Sequence, residues 1–148
     1  MSKTIWYISK YAVSPNFGPP TRQFFFSKYF NIKGFQTILI SSYASGTKYS
    51  SNIDFEKYYK IFQTEGIKHY LLKGPTISLG FSLKRILSWV QYEWYVFKLG
   101  NEIGKKQKPD AIIISSLSLL TIINGIYFKW KFGCKFILEI RDIWPLTL

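Results

Sequence analysis

The sequence predicts an α/β fold in which helices cover both faces of a mainly parallel sheet. Short apolar segments alternate with segments of helical periodicity along the whole chain. Four of the five predicted strands are nearly continuous apolar runs, as in strands that are buried on both faces. The 148 residues are 47% hydrophobic and 20% aromatic, which suits one domain with a substantial core.

The N-terminal half is predicted to contain three strands, at residues 3–9, 35–41 and 67–74. Thr21 is placed to cap a helix that begins in the segment RQFFFSKYFNIKG, and Gly34 is placed to end it. The segment FEKYYKIFQTEG, residues 55–66, is interpreted as a short amphipathic helix.

The C-terminal half begins with the longest helical signal, residues 82–103, which is apolar almost all round. A strand at 111–115, a helix at 117–133 and a strand at 134–140 follow. This alternation, with right-handed crossovers, predicts a doubly wound, Rossmann-like layer formed by a single domain over residues 1–148.

The net charge of +12 favours anionic partners such as phosphate groups, nucleic acid or lipid head groups. One cysteine and one histidine exclude a disulfide framework and a Cys/His zinc site. The start of the chain does not resemble a signal peptide. The charge-free run at 111–128 fits a strand followed by a buried helix better than a membrane span, because serines and Asn124 interrupt it.

Candidate site residues lie where predicted strands end, because ligands of open parallel sheets bind beyond the carboxyl ends of the strands. Ser115 and Ser116 follow the fourth strand, as hydrogen-bonding groups rather than nucleophiles. Arg141, Asp142 and Trp144 follow the fifth strand, in the segment RDIWP. Asp142 is a candidate for proton transfer. The alternative is that Arg141 and Asp142 form an ion pair that closes the sheet edge.

The first loop, KYAVSPNFGPPTR, lacks the G-x-G-x-x-G and P-loop patterns. It offers Gly18 and a helix N-terminus at Arg22, where free N–H groups and a guanidinium suit an anion. An ordinary strand-to-helix connection is the alternative.

The long helix combines aromatic and basic residues. Lys84 and Arg85 precede Trp89 and Trp94, a pattern that suits the head-group layer of a membrane. A core helix with solvated ends explains the pattern equally well. Base stacking on nucleic acid is a weaker alternative, because a continuous apolar helix is a poor platform for it.

The order SPNFGPPTR, KPDAIIISS and FILEIRDIWP resembles the N-terminal domain of family-4 glycosyltransferases with the GT-B fold. The most similar branch builds bacterial surface polysaccharides and O-antigens on a lipid carrier. The resemblance implies retaining transfer of a sugar from a nucleotide sugar to a lipid-linked saccharide, without a tightly bound metal or other cofactor.

The resemblance also implies roles for the candidate residues. Gly18 and Arg22 would lie near the donor diphosphate or the acceptor phosphates. The acceptor side would be lined by Ser115, Ser116, Arg141, Asp142 and Trp144, with Arg141 and Asp142 as the catalytic candidates. The helix with Trp89 and Trp94 would rest on the inner face of the cell membrane, which implies a cytoplasmic, peripheral protein.

The chain departs from the family pattern in two ways. Many members have a histidine after the fourth strand, where this chain reads SSLSLL, so we expect no catalytic histidine. The nucleotide-sugar-binding C-terminal domain is absent from these residues. We therefore expect the front part of a longer protein or one half of a split transferase, inactive without the C-terminal half. A non-catalytic, membrane-associated subunit that recruits a partner chain is the alternative.

Overall fold

Over the residues that the structure describes, the fold is an α/β arrangement with a six-stranded, mostly parallel sheet and three helices. The computed structural model describes residues 2–43, 53–74, 83–116 and 119–140, and it describes the side chains of all of these except residues 83–85, 116 and 119. The strands are β1 (Thr4–Ile8), β2 (Gln36–Ser42), β3 (Tyr59–Thr64), β4 (Ile67–Leu72), β5 (Ala111–Ser116) and β6 (Lys135–Ile140). The helices are α1 (Arg22–Ile32), α2 (Leu83–Lys106) and α3 (Leu119–Phe132).

The strand order across the sheet is β3-β4-β2-β1-β5-β6. All neighbours pair in parallel except β3 and β4, which are antiparallel. The prediction of a mainly parallel α/β sheet is therefore confirmed. The parallel strands extend outward in both directions from β1, so the order reverses between β1 and β5.

Helices cover both faces of the sheet. Successive residues of β1 alternate between the faces, as the twofold period of a strand requires. Ile5 and Tyr7 pack with Phe24 of α1 on one face. Trp6 packs with Phe128 of α3 on the other face, which α2 also covers. The apolar runs of the sequence thus reflect burial on both sides of the sheet.

The prediction of a helix over residues 55–66 is wrong. Residues 59–64 form β3, which pairs with β4 in a hairpin. Its two-residue turn consists of Glu65 and Gly66, with φ values of 51° and 77°. Hairpin turns of this length favour positive φ at both positions, because their twist then matches that of the strands. Tyr59, Ile61 and neighbouring residues suit an edge strand, and so short an apolar pattern does not separate helix from strand.

Helix α1 begins and ends close to the predicted residues, but Thr21 does not cap it with its side chain. The Thr21 hydroxyl instead accepts a hydrogen bond from the backbone N–H of Val13, at 3.2 Å. This contact ties the preceding loop to the start of the helix. Gly34 follows the last turn, as predicted, and its N–H donates to the Asn31 carbonyl at 3.0 Å.

Two glycines allow α2 and α3 to approach closely. A Cβ atom on Gly100 would lie 2.2 Å from Phe128 Cζ, and one on Gly104 would lie 2.2 Å from Phe132 Cζ. No side chain fits at such distances without displacing the ring. The two helices therefore form one layer, and their N-terminal ends lie at the edge of the sheet where the strands end.

Candidate functional site

The candidate site is the edge of the sheet where the parallel strands end. The strand order reverses between β1 and β5, and the helices that follow these strands, α1 and α3, pack on opposite faces of the sheet. The crevice expected of such a sheet therefore lies between the ends of β1 and β5. In open parallel sheets this crevice is the usual place for a ligand. Polar side chains occur here on both faces of the sheet, and the two groups differ in burial and in chemistry.

On the α1 face, Glu139 of β6 holds two side chains from other elements. It forms an ion pair with Arg22 at the start of α1. Its other carboxylate oxygen accepts a hydrogen bond from the Tyr7 hydroxyl, at 2.7 Å. The side chain of Arg22 is 52% exposed, so its guanidinium can also reach a ligand. We call these three residues the Arg22 group.

Ser115 lies beside the Arg22 group, in the end of β5. The Gln23 side-chain amide donates to the Ser115 hydroxyl at 3.4 Å, and both side chains are buried. This contact connects the first turn of α1 to the end of β5. Ser116 is the last residue of β5, and its side chain is outside the described atoms.

The loop that contains Gly18 is anchored by the β3–β4 hairpin. Gly18 has a φ of 147°, a conformation open mainly to glycine. Before it, the Asn16 amide donates to the Thr64 hydroxyl at 2.8 Å, and Phe17 packs edge-on against Phe62 at 4.7 Å between ring centroids. These contacts hold the loop against β3, on the α1 face of the sheet.

His69 of β4 provides the third anchor of this loop. Its Nδ1 shares a hydrogen bond with Ser14 Oγ at 3.2 Å, and its Nε2 shares one with Ser41 Oγ at 2.7 Å. Burial lowers the pKa of His69 from 6.5 to about 4, because the charged imidazolium would be poorly solvated there. The neutral ring holds the loop in place.

On the α2/α3 face, Lys10 follows β1 and is only 9% exposed. Its ammonium donates to the Ser88 hydroxyl at 3.1 Å. The rings of Tyr11, Trp89 and Tyr92 lie around it, with their centroids 5.7–5.8 Å from Nζ. Rings at this distance stabilise a cation through their negative faces.

Glu93 of α2 lies in the same region and is also 9% exposed. One oxygen accepts from the Thr121 hydroxyl, and the other accepts from the Asn124 amide at 2.8 Å. Burial raises the pKa of the Glu93 carboxyl, whereas these hydrogen bonds and the charge of Lys10 act in the opposite direction. We call Lys10, Ser88, Tyr92 and Glu93 the Lys10 group.

The residues expected at a membrane surface have different environments. Trp94 is 61% exposed, on a stripe with Leu87 and Val90. Trp89 is partly buried, with its ring next to Lys10. Lys84 and Arg85 lie in the first turn of α2, and only their backbone is described. On α3 the exposed apolar residues are Leu120, Ile123, Ile126 and Trp130.

The remaining candidates, Arg141, Asp142 and Trp144, lie outside the described residues. Three residues of these groups, Lys10, Glu93 and Glu139, were not predicted as site residues from the sequence. Each has a signal in the sequence, because each is a charged residue within or directly after an apolar segment. Such residues are rarely buried without partners, so they were candidates for a polar cluster.

Within the part of the chain that the structure describes, no three or more His, Cys, Asp or Glu side chains form a group that could hold a metal ion. Among the described helices, none has the length and apolar character that crossing a bilayer requires. The sequence matches no protein-family model and no curated protein.

Proposed function

We propose that this chain is the acceptor-binding part of a glycosyltransferase with the GT-B fold. It binds a lipid-linked saccharide that receives a sugar from a nucleotide sugar in surface polysaccharide biosynthesis. The observation that carries the proposal is the convergence of Arg22, Tyr7 and Glu139 at the crevice between β1 and β5. Charged and hydrogen-bonding groups at this edge fit a phosphorylated saccharide.

The strand order supports a Rossmann-like sheet. The five parallel strands, counted in chain order, are arranged 3-2-1-4-5 across the sheet. This is the order of the corresponding strands in doubly wound dinucleotide-binding sheets. In the GT-B architecture both domains are such layers and the N-terminal one mainly holds the acceptor, so the sheet agrees with the resemblance in the sequence. Fold alone does not specify an activity, and the site carries the rest of the proposal.

The Arg22 group has the chemistry that an acceptor requires. Arg22 lies at a helix N-terminus, where N–H groups and a guanidinium fork favour a phosphate. A phosphate there competes with Glu139 for the guanidinium, which frees the carboxylate to accept from saccharide hydroxyls. Ser115 adds a hydroxyl beside them. In the proposed enzyme, Arg141 and Asp142 complete the acceptor side, and a separate C-terminal half supplies the nucleotide sugar.

The exposed stripe of α2 suits a peripheral contact with an anionic membrane. Leu87, Val90 and Trp94 are each more than half exposed, and Lys98 on the same helix is also exposed. Apolar side chains next to cations bind the head-group layer through burial and through attraction to anionic lipid. The lipid-linked acceptor occupies the same surface, so this contact brings the crevice close to it.

A non-catalytic subunit that recruits a partner chain is the second candidate. The outer face of α1 favours it, because Phe25, Tyr29 and Ile32 are more than half exposed on the opposite side of the sheet from α2. One flat membrane cannot cover both faces. In this reading the apolar face of α1 binds a protein, and the crevice binds no acceptor.

Vesicle flotation separates these functions. Wild-type protein should float with phosphatidylglycerol-rich vesicles, and a polyprenyl-diphosphate-linked saccharide in the vesicles should increase the bound fraction. Trp94→Ala should lower binding to both kinds of vesicle, whereas Arg22→Ala should remove only the increase caused by the acceptor. Phe25→Ala, an exposed aromatic residue on the opposite face, is the matched control and should behave as wild type.

Transfer of radiolabelled sugar should require the added C-terminal half and the nucleotide sugar.

An acceptor that causes no increase in flotation of the wild-type protein would contradict the proposed function. Flotation that is unaffected by the acceptor, with retained vesicle binding, is the result expected of the recruiting subunit. Binding that Phe25→Ala and Trp94→Ala reduce equally would reject the α2 stripe as the membrane contact.

A further inference from the structure

The Lys10 group contains a buried cation at the ligand-binding edge of the sheet. Lys10 continues the alternation of Trp6 and Ile8, so its side chain enters the α2/α3 face just beyond the end of β1. Burial of an ammonium is unfavourable unless hydrogen bonds and charges compensate for the lost water. A cation that is kept at this position, where ligands bind in open parallel sheets, suggests a function in binding.

Tyr92 provides a second, independent observation. It is 2% exposed, and its hydroxyl makes no hydrogen bond to any described residue. Its ring lies 5.7 Å from Lys10 Nζ. A buried phenol normally has a partner. Burial raises the pKa of Tyr92, so its hydroxyl keeps its proton and remains a donor.

The chemistry of the Lys10 group favours an anionic oxygen. Lys10, Ser88 and Tyr92 each carry an N–H or O–H donor. Of the three aromatic rings around Lys10, those of Tyr11 and Trp89 are partly exposed, and a ligand would displace these two. Glu93 is the acceptor in the group, and its two oxygens already bind Thr121 and Asn124. A neutral polyol would need such an acceptor, whereas a phosphate needs donors.

We propose that Lys10, Ser88 and Tyr92 bind a phosphate or diphosphate group at the end of β1. Resting on the proposed function, the natural ligand is the diphosphate of the lipid-linked acceptor. This site lies on the opposite face of the sheet from the Arg22 group. The two groups of donors flank the crevice and can hold different parts of one acceptor.

Calorimetric titration with inorganic pyrophosphate tests the site without any transfer reaction. Wild-type protein should bind, and Lys10→Met should abolish binding. Tyr92→Phe removes only the hydroxyl and should weaken binding by about 3- to 10-fold, the effect of one hydrogen bond. Glu93→Gln should tighten binding several-fold, because it removes a negative charge next to the anion.

The matched controls lie on α1 or at its end, where Lys33 lies 5.3 Å from the centroid of the Tyr29 ring. Lys33→Met and Tyr29→Phe should bind pyrophosphate as wild type does. Any of three results would overturn the proposal. These are wild-type protein that fails to bind pyrophosphate, Tyr92→Phe that binds it with unchanged affinity, and Lys33→Met that loses as much affinity as Lys10→Met. Circular dichroism checks that the conservative Tyr92→Phe variant is folded, and a folded variant makes its binding result decisive.

The source of the diphosphate is tested with two further ligands. A short-chain polyprenyl diphosphate in detergent should bind through Lys10 and Tyr92, and uridine diphosphate should bind weakly or not at all. The reverse preference would overturn the acceptor as the ligand. If pyrophosphate binds through Lys10 but the acceptor causes no increase in flotation, the proposed function fails and the site stands. If the acceptor effect depends on Arg22 but Tyr92→Phe and Lys10→Met bind pyrophosphate as wild type, only this site fails.

Discussion

The two faces of the sheet place charged groups at the same edge in opposite environments. On the α1 face, Arg22 and Glu139 pair directly, and their side chains are 52% and 21% exposed. On the α2/α3 face, Lys10 and Glu93 are each 9% exposed and are surrounded by hydroxyls, an amide and aromatic rings. Water screens the attraction between Arg22 and Glu139, whereas the buried charges of Lys10 and Glu93 need neighbouring side chains to stabilise them. Burial, more than charge, therefore decides how sensitive each face is to substitution.

The hydrophobic cores on the two faces of the sheet also differ, in size. Among the described residues, the buried cluster under α2 and α3 is larger than the cluster under α1. The outer side of α1 carries exposed aromatic residues such as Phe25 and Tyr29. Matched substitutions should therefore lower the free energy of unfolding more on the α2/α3 face than on the α1 face. The three predictions below are ordered by the size of the expected change.

The largest effect is expected from Phe128→Ala. Phe128 is fully buried against Trp6 and fills the space that Gly100 leaves. Removing its ring leaves a cavity between α2, α3 and the sheet, and the free energy of unfolding should fall by about 3–5 kcal/mol. Urea denaturation measures it.

The control for Phe128→Ala is Phe25→Ala. Phe25 is 54% exposed, so its loss should change the free energy of unfolding by less than about 0.5 kcal/mol. Equal losses for the two variants would show that the α1 face contributes as much to stability as the α2/α3 face. That result would remove the contrast between them.

The second prediction concerns His69 on the α1 face. Its pKa is about 4 in the folded chain and 6.5 when unfolded, so the unfolded chain takes up the proton first as the pH falls. Its contribution is present above pH 6.5 and is lost as the pH falls to about 4. Linkage gives a loss of about 3 kcal/mol over this range.

The free energy of unfolding of wild type and of His69→Asn is measured by denaturation at several pH values between about 4 and 6.5. The difference between the two proteins at each pH is the contribution of His69. Glu93 acts in the opposite direction, since a carboxyl with a raised pKa stabilises the folded chain at low pH. Both proteins contain Glu93, so its effect cancels. Parallel pH profiles of the two proteins would show that the pKa of His69 is not lowered in the folded chain.

The smallest effect is expected from paired alanine substitutions of the two acidic residues. Glu93→Ala removes the acceptor of Thr121 and Asn124 and the carboxylate near Lys10, and should lower the free energy of unfolding by about 2 kcal/mol. Glu139→Ala should lower it by less than about 1 kcal/mol, because water screens the partly exposed pair of Arg22 and Glu139. Thermal and urea unfolding at pH 7 compare them, and a reversed order would contradict the role of burial.

Local patterns in the sequence were sufficient to predict most of the helices and strands. The apolar runs at 3–9, 35–41 and 111–115 are strands because burial on both faces requires them to be apolar throughout. The segment at 55–66 was not predictable in the same way. Its apolar residues fit both periods over so short a length, and pairing with β4 decides in favour of the strand.

The candidate site was predictable only in part. The rule that ligands bind where parallel strands end led to Arg22 and Ser115, which lie on neighbouring elements at the edge. The partners of these residues come from distant parts of the chain. Glu139 follows Arg22 by 117 residues, and Ser88 follows Lys10 by 78. No local pattern relates residues at such separations.

The amino-acid sequence was enough to indicate the fold class, the order of most elements and the basic character of the surface. These properties depend on which residues are apolar and how they are spaced, and spacing is a local quantity. The tertiary structure decided which charges are buried, which tryptophans are exposed, and which loop His69 anchors. Burial depends on what the rest of the chain places around a residue, so it becomes defined only when all the elements have packed.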